Sequence, residues 1–291
     1  MIDYKSKYRV GGCVPQPKDR RDWKLDKLLA VNSVQLPRDY LPDYGDFAYN
    51  QEDSSECCAC AYCYIRHLQE MDSNQSGLQE TFSPSFQYAN RDIEDNYYEG
   101  MQLRKCVLKG REGSLPYHYF PNFYSLSKCQ EIFKKNRIKF LNIAYPYRIS
   151  SFYTVKTAKE IRTAIYLTKG ILIGIVVTDS FYTPDENGVV DYSNDIIDSE
   201  QDGHAVCVDG WKYIDNKLYL RIKNSWGKEW GVENGHCYIS YEDLKKCLID
   251  ECYVLVDEVD EIKLSQTYPK TRLKAFLDVI IYKLKDLLFG K

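Results

Sequence analysis

A run of fifteen residues without glycine or proline, CCACAYCYIRHLQEM from Cys57 to Met71, is the feature that most restricts the fold of this chain. An uninterrupted stretch of this kind predicts an α-helix that begins at about Cys57. Its first positions are cysteines and alanines, whose small side chains allow close neighbours on several sides of a helix. We therefore expect a long buried helix in the first half of the chain.

The second half of the sequence has a different pattern. The segment TAKEIRTAIYLTKG (157–170) predicts another amphipathic helix, with Gly170 at its C-cap. Short β-rich runs separated by turn residues then follow at 171–178, 204–211, 218–226 and 237–240. A helical N-terminal lobe followed by a β-rich lobe predicts an α+β protein with its functional site in the cleft between the lobes.

Charge and composition argue against several classes of protein. The net charge of −3 at pH 7 opposes a broad basic surface, so we expect no nucleic-acid partner. The first residues, MIDYKSKYRVGG, lack the apolar stretch of a signal peptide, and nowhere do eighteen apolar residues run together. These features predict a cytoplasmic protein, in which most of the eleven cysteines are free thiols.

The candidate catalytic groups are few. His204 follows a glycine at the start of a predicted strand, in QDGHAVCVDGW, where its ring can face a cleft. Asn224 begins the segment NSWGKEWGVENG, which contains two Trp-Gly pairs. A thiol and an imidazole that acts as its base are the groups that nucleophilic catalysis by cysteine requires. The other histidines are His67, His118 and His236, and the clustered thiols are Cys57, Cys58, Cys60 and Cys63.

These segments together resemble the papain family of cysteine proteases. NSWGKEWGVENG is similar to the family signature that contains an orienting asparagine and its tryptophan shield, and GHAV is similar to the family's histidine strand. QEDSSECCACA resembles the short form of the family, in which a glutamine stands six residues before the nucleophilic cysteine. The similarity selects Cys57 among the clustered thiols. It extends over about residues 10 to 258.

The resemblance implies a papain-like fold with a helical N-terminal lobe, a β-barrel-like C-terminal lobe and an active site in the cleft. It implies that Cys57 is the nucleophile, His204 the proton carrier and Asn224 the group that orients the imidazole. The Gln51 side chain and the Cys57 backbone N–H would form the oxyanion hole, and Trp226 would shield the imidazole from water. The substrate is then a polypeptide, and we expect no metal or cofactor.

The substrate groove departs from the family pattern at two positions. Ser55 and Glu56 replace a glycine and a serine, so Ser55 narrows the groove. If Glu56 is exposed, its carboxylate raises the pKa of the thiol by about one unit or less. Gly100 is expected to approach the substrate backbone and Met101 to lie near an apolar pocket. The histidine pair of the occluding loop in cathepsin B has no counterpart, which favours an endopeptidase.

The domain boundaries follow from the same pattern. We expect an irregular leader at 1–36, a catalytic domain at 37–258 and an amphipathic helix at 259–291. Within the catalytic domain, the helical lobe covers about 50–155 and the β-rich lobe about 156–258. The leader is too short for a full inhibitory prodomain, and we interpret it as a short regulatory segment that crosses the cleft with Tyr4, Tyr8 and Trp23.

The C-terminal helix has apolar residues at a period of 3.6, with basic residues largely elsewhere. It can pack on the protein's own surface, or contact a membrane surface or another protein through 270–289.

Other functions stay open on the sequence alone. The same thiol chemistry serves acyl transfer and deubiquitination, and a papain-like fold can also be a non-catalytic scaffold. Cys57, Cys60 and Cys63 have zinc-like spacing, but no second pair of ligands completes a site. The tyrosine-rich composition and the short-form motif resemble a thiol protease of a giant DNA virus, a resemblance compatible with packaging in a virion.

Overall fold

The computed structural model of the chain describes residues 4–8, 10–28, 31–73, 80–92, 99–197 and 203–257. The predicted C-terminal helix at 259–291, with its contact surface at 270–289, lies outside these residues. The helices of the described part are α1 (Tyr4–Lys7), α2 (Leu25–Leu28), α3 (Cys57–Ser73), α4 (Pro84–Ala89), α5 (Leu103–Lys109), α6 (Leu126–Ala144), α7 (Ala158–Thr168), α8 (Asp179–Tyr182) and α9 (Tyr241–Cys247). None of them is long and apolar enough to cross a membrane.

The strands form one open sheet. They are β1 (Ser151–Val155), β2 (Ile171–Val176), β3 (Val189–Val190), β4 (Gly203–Ile214), β5 (Lys217–Lys223), β6 (His236–Ser240) and β7 (Cys252–Val256), in the order β1-β7-β2-β4-β5-β6-β3. The α+β class is confirmed, but the prediction of a barrel-like lobe was wrong. A barrel requires its two edge strands to pair, whereas β1 pairs with β7 and the two-residue β3 pairs with β6.

Helix α3 begins at Cys57, as predicted, and runs through the interior. Its residues from Cys57 to Leu68 are buried, because small side chains let β4 pack against the helix. The first residues of β4, Gly203 and His204, therefore lie beside the first turn of α3. This packing brings a strand end and a helix N-terminus together at one point between the two lobes.

Helix α7 was predicted to end with a cap at Gly170. The helix instead ends at Thr168, and Lys169 adopts the left-handed conformation (φ 72°) with its N–H donating to Ile165 O. Gly170 follows in a confined position, where an added Cβ would lie 3.0 Å from Cys207 Sγ. Packing against β4 thus explains this glycine better than capping does.

Candidate active site

The thiol of Cys57 lies at the N-terminus of α3 and is completely buried. The backbone N–H of Ala205 in β4 donates to its Sγ at 3.4 Å. Burial alone raises the pKa of a thiol, but interactions with Cys58 and with the His204 imidazole hold the pKa of Cys57 well below its usual range. The partial positive charge of the helix N-terminus acts in the same direction. The surroundings therefore favour a thiolate.

The imidazole of His204 is oriented by an amide. A hairpin turn at Asp215 and Asn216, both with positive φ, folds β5 back along β4, so that Asn224 comes to lie beside His204. The distance from His204 Nε2 to Asn224 Oδ1 is 2.7 Å. Because an amide oxygen only accepts, Nε2 carries the hydrogen and donates it.

The second ring nitrogen of His204 is set up for proton transfer. Nδ1 is buried and has no hydrogen-bond partner in the described part of the chain. The same imidazole interacts with the Cys57 thiol. With Nε2 protonated, Nδ1 is the nitrogen that can accept the thiol proton. The geometry thus brings together the three residues that the sequence singled out for catalysis.

Aromatic rings cover this imidazole. The ring centroid of Trp226 lies 5.2 Å from that of His204, and Trp226 is buried. Phe181 and Trp230 contact the indole edge-on, at 5.5 and 5.4 Å between centroids. Tyr182 stacks against it at 5.2 Å. This cluster excludes water from the side of the imidazole that bonds to the amide.

The side chain of Gln51 is held in one orientation. Its Oε1 accepts from Ser225 Oγ at 2.5 Å, and its Nε2 donates to the carbonyl of Ser54 at 2.8 Å. The Gln51 backbone N–H also donates to the Ser225 carbonyl at 2.8 Å. The donor end of the amide therefore points into the loop that leads to Cys57.

The predicted substrate-binding positions are occupied by the chain's own leader. Met101 N–H donates to the carbonyl of Gly12 at 2.8 Å, and Val14 N–H donates to the Met101 carbonyl at 2.9 Å. A Cβ added to Gly100 would meet Val14 at 2.8 Å, and one added to Gly12 would meet the Ser55 carbonyl at 2.7 Å. All three predicted positions thus face one extended segment.

This leader segment, residues 10–14, passes directly over the thiol. A Cβ added to Gly12 would lie 2.7 Å from Cys57 Sγ, so only glycine leaves space there. On the opposite side, the backbone N–H groups of Gly11 and Cys13 donate to the carbonyl of Gly203 at 3.0 and 3.2 Å. The segment therefore bridges the two lobes across the cleft.

Tyr8 extends this contact to the tryptophan shield. Its ring stacks on Trp226, with 5.3 Å between centroids and 9° between planes. Trp23 lies at β1 instead, where Thr154 N–H donates to its carbonyl at 2.8 Å, and the side chain of Tyr4 lies outside the described part. The Gly-Gly pair of the leader was the signal in the sequence that could have indicated a close approach to the thiol.

Glu56 does not have the exposed environment that was considered from the sequence. Its side chain is buried, and Asn122 Nδ2 donates to its Oε1 at 3.2 Å. Burial raises the pKa of Glu56 to about 8, against opposing contacts with Ser54 and Ser85. The carboxyl group is therefore mostly neutral at pH 7. Asn122 lies in the loop after the short 3-10 helix Tyr117–Tyr119, and the local sequence around Glu56 does not reveal that contact.

Two of the remaining histidines have partners elsewhere. His67 Nδ1 lies 2.9 Å from the carbonyl of Glu80, and His236 Nε2 lies 3.0 Å from the carboxylate of Asp209. No group of three or more His, Cys, Asp and Glu side chains in the described ranges is arranged to hold a metal ion.

Comparison with known proteins gives a consistent result. The sequence profile described as papain family cysteine protease matches residues 56–256. An uncharacterized peptidase C1-like protein of Acanthamoeba polyphaga mimivirus is 30% identical over 105 residues, which are 35% of this chain and 32% of the viral protein. The match thus spans about a third of that relative's length.

Solved structures confirm the predicted papain-like fold. Xylellain, a cysteine protease from Xylella fastidiosa, is similar with a TM-score of 0.70 at 20% identity, over 86% of this chain and 97% of xylellain. Digestive procathepsin L 3 of Tenebrio molitor larval midgut is similar with a TM-score of 0.62 at 15% identity, over 81% and 76% of the two chains. At these identities the likeness is one of fold.

Proposed function

Because the chain belongs to the papain family of cysteine proteases, whose substrates are polypeptides, we propose that it is an endopeptidase with Cys57 as nucleophile and His204 as proton carrier. The observation that carries this proposal is the alignment of a buried low-pKa thiol, an imidazole and the Asn224 amide in one chain of contacts. Such a chain is what thiolate catalysis requires.

The reaction follows from this geometry. His204 Nδ1 takes the proton of the thiol, and the Cys57 thiolate attacks the carbonyl carbon of the scissile bond. The Gln51 amide and the Cys57 backbone N–H stabilise the negative oxygen of the tetrahedral intermediate. The imidazolium then gives its proton to the leaving amine, and water hydrolyses the thioester with His204 as base. Asn224 keeps the ring in the required tautomer throughout.

The path of the leader supports cleavage within a chain. The leader contacts Trp226 through Tyr8 on one side of the thiol and Met101 through Val14 on the other. A groove that holds extended backbone on both sides of the nucleophile can hold a substrate on both sides of the scissile bond. This arrangement favours an endopeptidase over an exopeptidase.

Hydrolysis of an internally quenched peptide with blocked ends tests the assignment. We expect Cys57→Ala to lower the rate by about a thousandfold or more. The matched control is Cys247→Ala, which removes another buried thiol and leaves the rate unchanged. Mass spectrometry of the products separates hydrolysis from acyl transfer. Normal hydrolysis by the Cys57 variant contradicts the proposal.

The leader is proposed to regulate access to the site, since it covers Cys57. A side chain at position 12 clashes with Cys57 Sγ and the Ser55 carbonyl, and a clash of this kind costs about 1–3 kcal/mol. We therefore expect Gly12→Val to raise the rate of peptide hydrolysis by about tenfold, because the open form becomes more populated. Lys18→Ala, at an exposed leader position, is the control. Equal rates for both variants and the unmodified protein oppose this role.

The segment 270–289 is proposed to bind a membrane surface or a partner protein. Its apolar stripe and basic residues suit an anionic interface. Flotation with liposomes that contain phosphatidylserine tests the membrane version, with a chain truncated at residue 260 as the control. Equal flotation of the two chains argues against it.

A reducing compartment such as the cytoplasm, with later packaging in a virion, is the proposed location. All eleven cysteines are free thiols, which suits synthesis in such a compartment. Thiol alkylation of the protein at its source, in denaturant because all eleven cysteines are buried and without added reductant, tests this. Modification at few of the eleven positions opposes it.

A further inference from the structure

Three thiols meet where the leader segment crosses the first turn of α3. Cys57 and Cys58 come from the first turn of α3, and Cys13 comes from the leader. Cys58 Sγ lies 3.3 Å from the Met101 carbonyl and 3.7 Å from the Gly12 carbonyl. Met101 is the bridge partner of Cys13, and the Cys13 and Cys58 thiols interact directly. All three cysteines are buried, so the cluster is closed to solvent.

The position of Cys13 is set by its surroundings. Two backbone contacts fix the leader here, since Cys13 N–H donates to the Gly203 carbonyl and Cys13 pairs with Met101. The sulfur fits because Gly174 has no side chain, as a Cβ there would lie 2.9 Å from Cys13 Sγ. Cys13 therefore reaches the other thiols only while the leader occupies the cleft.

We propose that Cys13 is a redox-active residue that forms a disulfide with Cys58, and that this bond holds the leader over the active site under oxidising conditions. The inference rests on the proposed reactivity of the Cys57 thiolate and on the proposed role of the leader. Burial keeps the pKa of Cys58 well above its usual range, so Cys58 does not react first.

Hydrogen peroxide is the oxidant in the first step of this reaction. When the leader opens, the Cys57 thiolate attacks one peroxide oxygen, forming sulfenic acid and releasing hydroxide. When the leader closes again, the Cys13 thiol loses its proton and displaces the hydroxyl group from the Cys57 sulfur, which gives a Cys13–Cys57 disulfide. The released hydroxide takes up that proton and becomes water. Two electrons pass from the two sulfurs to the peroxide.

Thiol–disulfide exchange completes the reaction without further oxidant. The Cys58 sulfur, after losing its proton, attacks Cys13 and forms the Cys13–Cys58 bond, and Cys57 leaves as a thiolate. The low pKa of Cys57 makes it the better leaving group. The nucleophile is thereby returned to its reduced state under a leader that is now covalently fixed. A thiol reductant reverses the bond and reopens the cleft.

Peptide mapping of the full chain after brief exposure to hydrogen peroxide tests the inference. We expect a Cys13–Cys58 disulfide and a fall in peptide hydrolysis of about a hundredfold, since a tethered leader has an effective concentration that free substrate does not match. Dithiothreitol is expected to restore the rate. Cys247→Ser, a remote thiol, should behave as the unmodified chain does.

The variants give the decisive comparison. In Cys13→Ser no thiol resolves the sulfenic acid, so Cys57 is expected to proceed to sulfinic acid and dithiothreitol no longer restores the rate. In Cys58→Ser the reaction is expected to stop at the Cys13–Cys57 disulfide, which dithiothreitol reduces. Reduced Cys13 in the peroxide-treated full chain overturns the inference, and so does a stable Cys13–Cys57 bond. Because mapping does not depend on activity, a disulfide in a protein without peptidase activity contradicts only the proposed function.

Discussion

The carboxyl group of Glu56 shows how packing changes the chemistry of a single residue. It directly precedes Cys57, where an anion would repel the thiolate. Burial raises its pKa to about 8, so the group is mostly neutral at pH 7 and places little charge beside the thiol. The residue types alone suggest repulsion at this position, and the buried environment removes it.

The stability of the protein should therefore depend on the ionisation of Glu56. Its pKa is raised from 4.5 to about 8 on folding, so the folded state binds more protons between these values. The free energy of unfolding then falls as the pH rises through this window, by up to about 1.4 kcal/mol per pH unit. Glu56→Gln removes this pH-dependent contribution to the free energy of unfolding. We therefore expect the stability of the variant, relative to the unmodified protein, to increase from pH 5 to pH 8.

Urea unfolding at several pH values measures this difference. Glu52→Gln is the control, because Glu52 lies on the same loop and is exposed. If the difference in free energy of unfolding between Glu56→Gln and the unmodified chain does not change with pH, the pKa of Glu56 is not raised on folding.

At the scale of elements, β4, β5 and β6 share a buried charged network. Asp209 is completely buried, Arg221 donates to it at 2.8 Å, and His236 Nε2 lies 3.0 Å from it. His236 Nδ1 lies 2.5 Å from the Glu233 carbonyl, so both ring nitrogens face acceptors. The network joins β6 to β4 and β5, the two strands at whose ends His204 and Asn224 lie.

Removing the central charge of this network should destabilise the sheet. Burial alone raises the pKa of a carboxyl group, but Arg221 and His236 hold the pKa of Asp209 well below its usual range. We expect Asp209→Asn to lower the free energy of unfolding by about 3–5 kcal/mol, since it leaves a buried cation uncompensated. The loss should diminish as the pH falls below the ordinary pKa of aspartate and approaches the lowered pKa, where Asp209 itself is neutralised.

Asp215→Asn is the matched control for Asp209→Asn. Asp215 lies in the exposed hairpin turn with φ 47°, which asparagine tolerates. Equal unfolding midpoints for the two variants contradict a stabilising role for the network.

At the scale of the whole molecule, the leader has two parts. Residues 10–14 lie in the cleft, whereas Leu25, Val31 and Val34 are buried in the body of the protein. Arg104 of α5 holds the second part through Asp22, with contacts of 2.7 to 2.9 Å. The second part therefore belongs to the folded domain, although its described residues contain no helix longer than α2.

Truncation should separate these two parts. Each buried aliphatic side chain of the second part contributes about 1.5–3 kcal/mol, so deletion of residues 1–36 should lower the free energy of unfolding by several kcal/mol. Deletion of 1–15 should have a smaller effect on stability and raise peptide hydrolysis. Thermal unfolding and the quenched-peptide assay measure both effects, and equal melting temperatures for the two truncations refute this division.

The sequence by itself determined the elements and the residues that meet at the site. The breaker-free run starting at Cys57 forms α3, and the β-rich runs form β2, β4, β5 and β6 at nearly the predicted bounds. These features follow from local periodicity and from short motifs, which are contained in neighbouring residues. The same motifs selected His204 and Asn224, which the structure places 2.7 Å apart.

Only the tertiary structure decided which distant segments pack against one another. The burial of Glu56, the open edges of the sheet and the passage of Gly12 over Cys57 depend on contacts between residues far apart in the chain. Local propensity does not contain these contacts, because burial and strand pairing are settled by which surfaces pack together. For this reason the sequence identified a family and its chemistry, whereas access to the thiol could be seen only in the folded molecule.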